Sequence, residues 1–415
     1  MEKLPPAKTL PLLNKSETVV TLLAILLLVA LICQPMQAQT LTVLHQFTGP
    51  DGLSPYSGVT IDSVGDLYGT TYGGGATGNG TVYELKRNGS GYLHKQLHVF
   101  AGGDDGEQPY GGVVIGQIGV LYAASNGGPA NSGTLFSLQP PFSFCRSVSC
   151  PWFHNVLYDL ASGSGAAPFY GQPAIDAVGN LYATTGFGGI SDYGTVYEVS
   201  HSGSGWTGTT LYLFQAGADG AYPAHSVILD SEGNLYGTTG GGGGYGEGAV
   251  FELERTASGW AEHLLASFGA PDTCAGYTLS GLIMDSAGNL YGGTTGDGTT
   301  ACVFELSPSP NGSQFSVLYT FTISNGGQGP VGNLVMGANG TLYGTTQGLG
   351  AFGLGNIFNL TPSGDSWIYT DLYDFRNDGD GQYPTGDLIL DSEGNLYGTN
   401  IGDSTGRGVV WKLTP

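Results

Sequence analysis

The sequence predicts an all-β fold, a seven-bladed β-propeller of four-stranded antiparallel blades. Three observations carry this expectation. Leu-Tyr follows a glycine-containing turn at Leu67, Leu121, Leu181, Leu235, Leu290, Leu342 and Leu396, at intervals of 54, 60, 54, 55, 52 and 54 residues. Such a period means one supersecondary unit copied in tandem. Each interval holds four short apolar or alternating runs separated by turn residues, and no segment after residue 40 shows a capped helical period. Finally, the last copy lacks its fourth run, while Leu41–Phe47 matches that run ahead of the first copy.

The fourth copy shows the unit most clearly. Strand A lies in Ser226–Asp230 and strand B in Asn234–Thr239. Strand C is Gly248–Leu253 and strand D ends in Leu264–Phe268. The A-to-B hairpin carries a glycine in every copy, at Gly65, Gly119, Gly179, Gly233, Gly288, Gly340 and Gly394. A short hairpin needs one left-handed residue, which glycine takes without steric cost. Asp62, Asp176, Asp230, Asp285 and Asp391 precede that turn, where a short carboxylate accepts turn amides. Gly116 and Gly337 replace the Asp in the other two copies. Strand C carries Tyr83, Phe136, Tyr197, Phe251, Phe304, Phe358 and Trp411, read as core aromatics. Strand D is expected at Gln96–Phe100, Val156–Leu160, Leu211–Phe214, Leu264–Phe268, Val317–Phe321 and Asp371–Phe375.

An N-terminal strand completing the last blade closes the ring, since an open stack leaves bare edges and apolar faces at both ends. With A innermost, the D-to-A and B-to-C loops share one face and the A-to-B and C-to-D turns the other. The first face holds the longer, variable, glycine-rich segments.

Residues 1–38 read as a signal peptide: Lys3, Lys8 and Lys15 precede an apolar run from Val19 to about Cys33, then Met36-Gln-Ala38. The run is short for a transmembrane span, and Ile32 before Cys33 is large for a lipidation site. Residues 39–415 then form one propeller domain. The whole chain carries 11 Lys plus Arg against 33 Asp plus Glu, a net charge of −22. Removing three Lys and two Glu with the signal leaves 8 against 31, or −23. Such a surface repels nucleic acid and anionic lipid. The domain keeps Cys145, Cys150, Cys274 and Cys302, an even count that suggests two disulfides in an exported chain. Cys145 and Cys150 close a small loop inside an insertion. Cys274 and Cys302 fall at the same end of one blade, so their pairing tests the topology.

Asp51, Asp105, Asp219 and Asp380, each followed by Gly and shortly by Pro, stand before strand A in four copies. Asp-Gly with a nearby Pro makes a tight turn. The same carboxylates could hold Ca²⁺ or another divalent cation, although equivalent positions on a ring stand far apart. His225 is the one histidine placed beside the loop face. The others fall on outer strands or a lower loop, and no histidine constellation is expected. Gly240–Gly248 leads into a strand, so it offers no helix terminus to a phosphate.

The run Asp-Ser-x-Gly-Asn-Leu-Tyr-Gly-Thr-Thr, a glycine stretch and Gly-x-Val-Phe-Glu-Leu resembles the GloVer tandem repeat of the choice-of-anchor proteins. The match is close at Asp230–Leu253 and Asp391–Tyr397, weaker around Gly116–Leu138, and spans residues 41–415. The resemblance implies an exported repeat protein and transfers no catalytic residue. The turn also resembles those of NHL, lactonase-type and streptogramin-lyase-type propellers.

The expectation is an extracellular or periplasmic, monomeric, non-catalytic propeller that binds a polysaccharide or an extracellular protein through its longer loops. The alternative is an extracellular metal-dependent hydrolase or lyase, with Asp51, Asp105, Asp219, Asp380 and His225 as ligands or bases and the metal in the central channel.

Overall fold

The computed structural model describes residues 39–414, apart from 142–149, 162–164, 169–170, 204, 224, 272, 279, 297–300, 311, 323–327, 349 and 403–404. Seven antiparallel sheets form a ring, each ordered A-B-C-D from the channel outward. In blade 1 these strands are Thr60–Ile61, Leu67–Thr71, Thr81–Asn88 and Gly91–Val99. Strand A is shorter than the sequence pattern suggests, because only two residues pair with B in six of the seven blades. Strand D is longer than expected. It begins directly after a tight turn from C, as at Asn88↔Gly91, where exposed polar residues mask the strand pattern.

The ring closes as expected. Thr40–Gln46 pairs antiparallel with Val409–Thr414 in the register Leu41↔Leu413, Val43↔Trp411 and Gln46↔Val409. Blade 7 therefore takes A, B and C from the end of the chain and D from its beginning. A further short strand, Gln382–Pro384, pairs beside Leu396–Gly402.

The repeated motif is a set of joints. Asp230 accepts the Glu232 and Asn234 amides at 2.8 and 2.9 Å, the Asn234 side-chain amide at 2.8 Å and the Tyr236 hydroxyl at 3.2 Å. Asp176, Asp285 and Asp391 repeat this pattern. Aspartate, glycine, asparagine and the tyrosine of Leu-Tyr thus belong to one network, and Gly233 takes φ 88° at its turn. Burial alone raises the Asp230 pKa, yet the donated hydrogen bonds outweigh it and hold this carboxyl below its ordinary range. Where Gly116 and Gly337 stand instead, the turn keeps the backbone bond that all seven copies share, Gly116 N to Val120 O and Gly337 N to Thr341 O, both 2.8 Å.

The Gly after Leu-Tyr has a packing cause. A Cβ at Gly237 would lie 2.5 Å from the Phe251 ring, and one at Gly398 2.4 Å from Trp411. Strand C aromatics fill that space across the B–C pair. The Thr two residues after Leu-Tyr then reaches the next blade in four copies. Thr70 donates to Gly111 O, Thr184 to His225 O, Thr238 to Ser280 O and Thr399 to Ser57 O, at 2.8–2.9 Å.

The core is correspondingly divided among the seams. Tyr68, Val82 and Phe100 of blade 1 pack on Leu121, Phe136 and Leu138 of blade 2. At the closing seam Phe47, Tyr397 and Val410 meet Val59, Leu67, Tyr83 and Leu85. Trp411→Ala should lower stability by about 3–5 kcal/mol, because it leaves a cavity at a fully buried site. Deleting Thr40–Gln46 should do more, uncovering an edge strand and that tryptophan. Thermal and denaturant unfolding, with light scattering for association, measure both.

Candidate functional site: the loop face and the channel

The D-to-A and B-to-C loops share a face. Isolated bridges tie them together at Leu53↔Gly73, Glu107↔Asn126, Ala166↔Phe187, Ala221↔Gly241 and Tyr277↔Thr295. The residue before proline in five D-to-A loops is left-handed without being glycine: Ser54, Gln108, Ala167, Tyr222 and Tyr383, at φ 48–58°. Proline disfavours the ordinary helical region for its predecessor, and each such residue costs roughly 1–3 kcal/mol. The offset is a bond to the preceding blade. Their amides donate to Arg407, Asn79, Ser132, Tyr193 and Leu354 carbonyls respectively, at 2.7–2.9 Å.

The four aspartates of this motif stay in separate blades and share no bonding partner. Asp51 accepts the Thr48 amide at 2.7 Å and faces His45 at 3.0 Å. Asp105 accepts the Ala101 amide at 2.7 Å. Asp219 accepts the Gln215 and Gly217 amides and the Tyr212 hydroxyl. Asp380 accepts the Arg376 amide and, at 2.8 Å, the Tyr373 hydroxyl. Each carboxylate closes its own loop and holds a side chain of the strand D before it.

His225 lies apart from all four, in the channel. It is 2% exposed. Its Nδ1 accepts the Ser226 amide at 3.0 Å, so the proton of the neutral ring sits on Nε2, which faces Asp387 Oδ1 at 3.1 Å. Asp387 Oδ1 also accepts the Asn333 amide at 2.7 Å. Blades 4, 6 and 7 are thereby tied across the channel. Gln172 and Asn333 border cavities of about 280 and 200 Å³ beside this bridge. With both ring nitrogens engaged, His225 offers no free lone pair to a substrate or metal in this arrangement.

Two clusters went unseen in the sequence, correcting the expectation that the histidines form no constellation. His45, Asp51 and His94 meet at the seam between blades 7 and 1, and His98, Asp105 and His154 at the seam between blades 1 and 2. Their potential ligand atoms lie within 4.8 Å of one another in each cluster. The available signal was register: His94 and His154 oppose equivalent leucines, Leu85 and Leu138, of strand C.

Cys274 and Cys302 form the expected disulfide, joining a D-to-A loop to the start of strand C. Cys150 is disulfide-bonded, and Cys145 lies outside the described residues.

The face is also rich in aromatics. Among the described residues the exposed aromatic side chains are Phe153, Phe187, Tyr222, Tyr245, Tyr277, Phe352 and Tyr383, and all but Phe153 lie in these loops. The A-to-B hairpins expose Val64, Ile118 and Val178 instead. They come from both loop types: Phe187, Tyr245 and Phe352 lie in B-to-C loops, and Tyr222, Tyr277 and Tyr383 in the D-to-A loops entering the next blades. Phe187 and Tyr222 stand 5.6 Å apart. Half-buried Tyr72 and Tyr110, at neighbouring positions in their loops, bring two rings to 4.6 Å over the seam between blades 1 and 2.

A family model described as the Gloeobacter/Verrucomicrobia repeat matches residues 32–150, 151–309 and 275–415. No curated protein matches the chain in sequence. Among solved structures, a puromycin hydrolase variant is similar at 13% identity and TM-score 0.56, over 88% of this chain and 55% of that one. A candidate 6-phosphogluconolactonase of Bacteroides uniformis is similar at 17% identity and TM-score 0.51, over 83% and 90% of the two chains. At these identities the likeness is one of fold.

Replacing Cys274 and Cys302 by serine should cost about 2–4 kcal/mol through the freed loop, read as a drop in Tm against the parent under non-reducing conditions. His225→Ala should cost about 1–3 kcal/mol, because Asp387 keeps only the Asn333 amide of its two donors; chemical denaturation measures it.

Proposed function

The chain belongs to the Gloeobacter/Verrucomicrobia repeat family, and from that premise we propose that it is an exported, non-catalytic module that binds a polysaccharide across its loop face. The observation that carries the reading is the concentration of exposed and half-buried aromatics on one face, with rings in contact across two seams, Tyr72–Tyr110 and Phe187–Tyr222. An aromatic ring covers the C–H face of a sugar, and its rigid side chain loses little entropy on contact. Repeated platforms suit a ligand that itself repeats, and several weak contacts along one strand add through avidity. Engagement of both His225 nitrogens supports a structural role for the channel bridge. The lysines ahead of an apolar run in residues 1–38 and the disulfide support export.

The test is a glycan array and titration against soluble polysaccharides. Tyr222→Ala, Tyr277→Ala and Tyr383→Ala should each weaken binding about tenfold, equivalent to roughly 1.4 kcal/mol. Val64→Ala and Val178→Ala on the opposite face should leave it unchanged. Binding that follows the hairpin variants, or protein capture with no glycan bound, refutes the proposal.

A further inference from the structure

Strand D meets strand D of the next blade at one recurring place. Its two positions, read by register, hold His45 with His94, His98 with His154, Tyr212 with Glu262, and Tyr319 with Tyr369. Tyr319 and Tyr369 stack at 4.7 Å and 12°. The histidine pairs stack the same way, at 4.3 Å and 9° for His45–His94 and 4.1 Å and 11° for His98–His154. Elsewhere the loop aspartate accepts a tyrosine hydroxyl, as from Tyr212 or Tyr373. Here it faces imidazole nitrogens: Asp51 meets His45 Nε2 at 3.0 Å, while Asp105 meets His98 Nε2 and His154 Nδ1 at 3.1 Å each. Thus two of the ring's joints are built from groups that titrate in mildly acidic water, and both flank blade 1.

We propose that these joints form an acid-sensitive latch, in which proton uptake by the paired imidazoles loosens the closing strand and blade 1 from the ring. Two imidazolium rings stacked at this distance repel, and one carboxylate cannot neutralise both. Among the described residues Asp51 is the one carboxylate acting on the first pair and Asp105 on the second. The remaining ring neighbours are Phe47 and Tyr83, whose hydroxyl is buried, and Phe100 and Phe136. Nε2 of His94 and of His154 is buried without a partner, so an added proton there has nothing to meet. Burial and the neighbouring ring hold His94 and His154 down at about 4, and burial lowers His45 and His98 despite their aspartates. The unfolded chain therefore binds more protons than the folded one between about pH 6.5 and 4. Stability is fully present above that window and falls as pH drops through it, roughly tenfold in the unfolding equilibrium per pH unit for each such histidine. The parallel rings also count against a metal, since their in-plane lone pairs cannot converge on one ion. A groove of about 620 Å³, lined in part by Thr42, Leu44, Tyr92 and Lys412, borders the same closing seam.

The test uses the full chain and the variant His45→Tyr, His94→Tyr, His98→Tyr, His154→Tyr, which installs the Tyr319–Tyr369 arrangement. Tm of the parent should fall between pH 6.5 and 4 by several degrees more than that of the variant, with little difference at pH 7.5. Parallel losses overturn the proposal. Should the variant not fold, hydrogen exchange of the parent decides. On acidification, protection should fall first in Thr40–Gln46 and Gly91–Val99 and persist in Ser366–Asp374. Uniform protection overturns it, as does a Tm rise with Zn²⁺ at pH 7.5, which would assign the clusters to a metal.

Discussion

The structure depends on the seam between neighbouring blades. Among the described residues every core cluster spans two neighbouring blades. Each blade buries both faces of a thin sheet against its two neighbours, and the large side chains interleave there. Backbone and hydroxyl bonds reinforce the same boundary at two radii. Near the channel, in blades 1, 3, 4 and 7, the threonine two residues after Leu-Tyr bonds the next blade's carbonyl. On the loop face a strained residue before proline bonds the preceding blade. Seven such boundaries must close together, which makes the pairing of Thr40–Gln46 with Val409–Thr414 a condition for all the others.

Most of the architecture was legible because the chain repeats. One Leu-Tyr is weak evidence of a strand, but seven at a fixed period expose the unit. The displaced Leu41–Phe47 run exposed the closure, and Cys274 with Cys302 checked which loops share a face. What escaped reading were contacts between residues of different blades. His94 and His154 lie in separate repeats, and only the strand D register shows that they occupy one position. Likewise Asp387, the partner of His225, lies 162 residues away across the channel. Local pattern carries no information about such a pair.

The repeats also supply their own controls. The aspartates of the D-to-A loops draw attention as ligands when counted alone; in all four copies each also bonds its own loop and the side chain before it. What varies between copies is more informative. The loop aromatics and the residues of the strand D joint change from blade to blade while the scaffold beneath them stays fixed. Function in this molecule is therefore best sought in departures from the repeat, on its rim and between its outer strands.

The offset closure has a consequence for how such a ring can change size. Because blade 7 borrows its outer strand from the start of the chain, the boundary of a duplicated segment and the boundary of a sheet do not coincide. Gaining or losing one period leaves the first and last strands intact and still complementary. Growth by whole periods thus alters curvature while preserving the lock, whereas a fractional insertion would strand an unpaired edge.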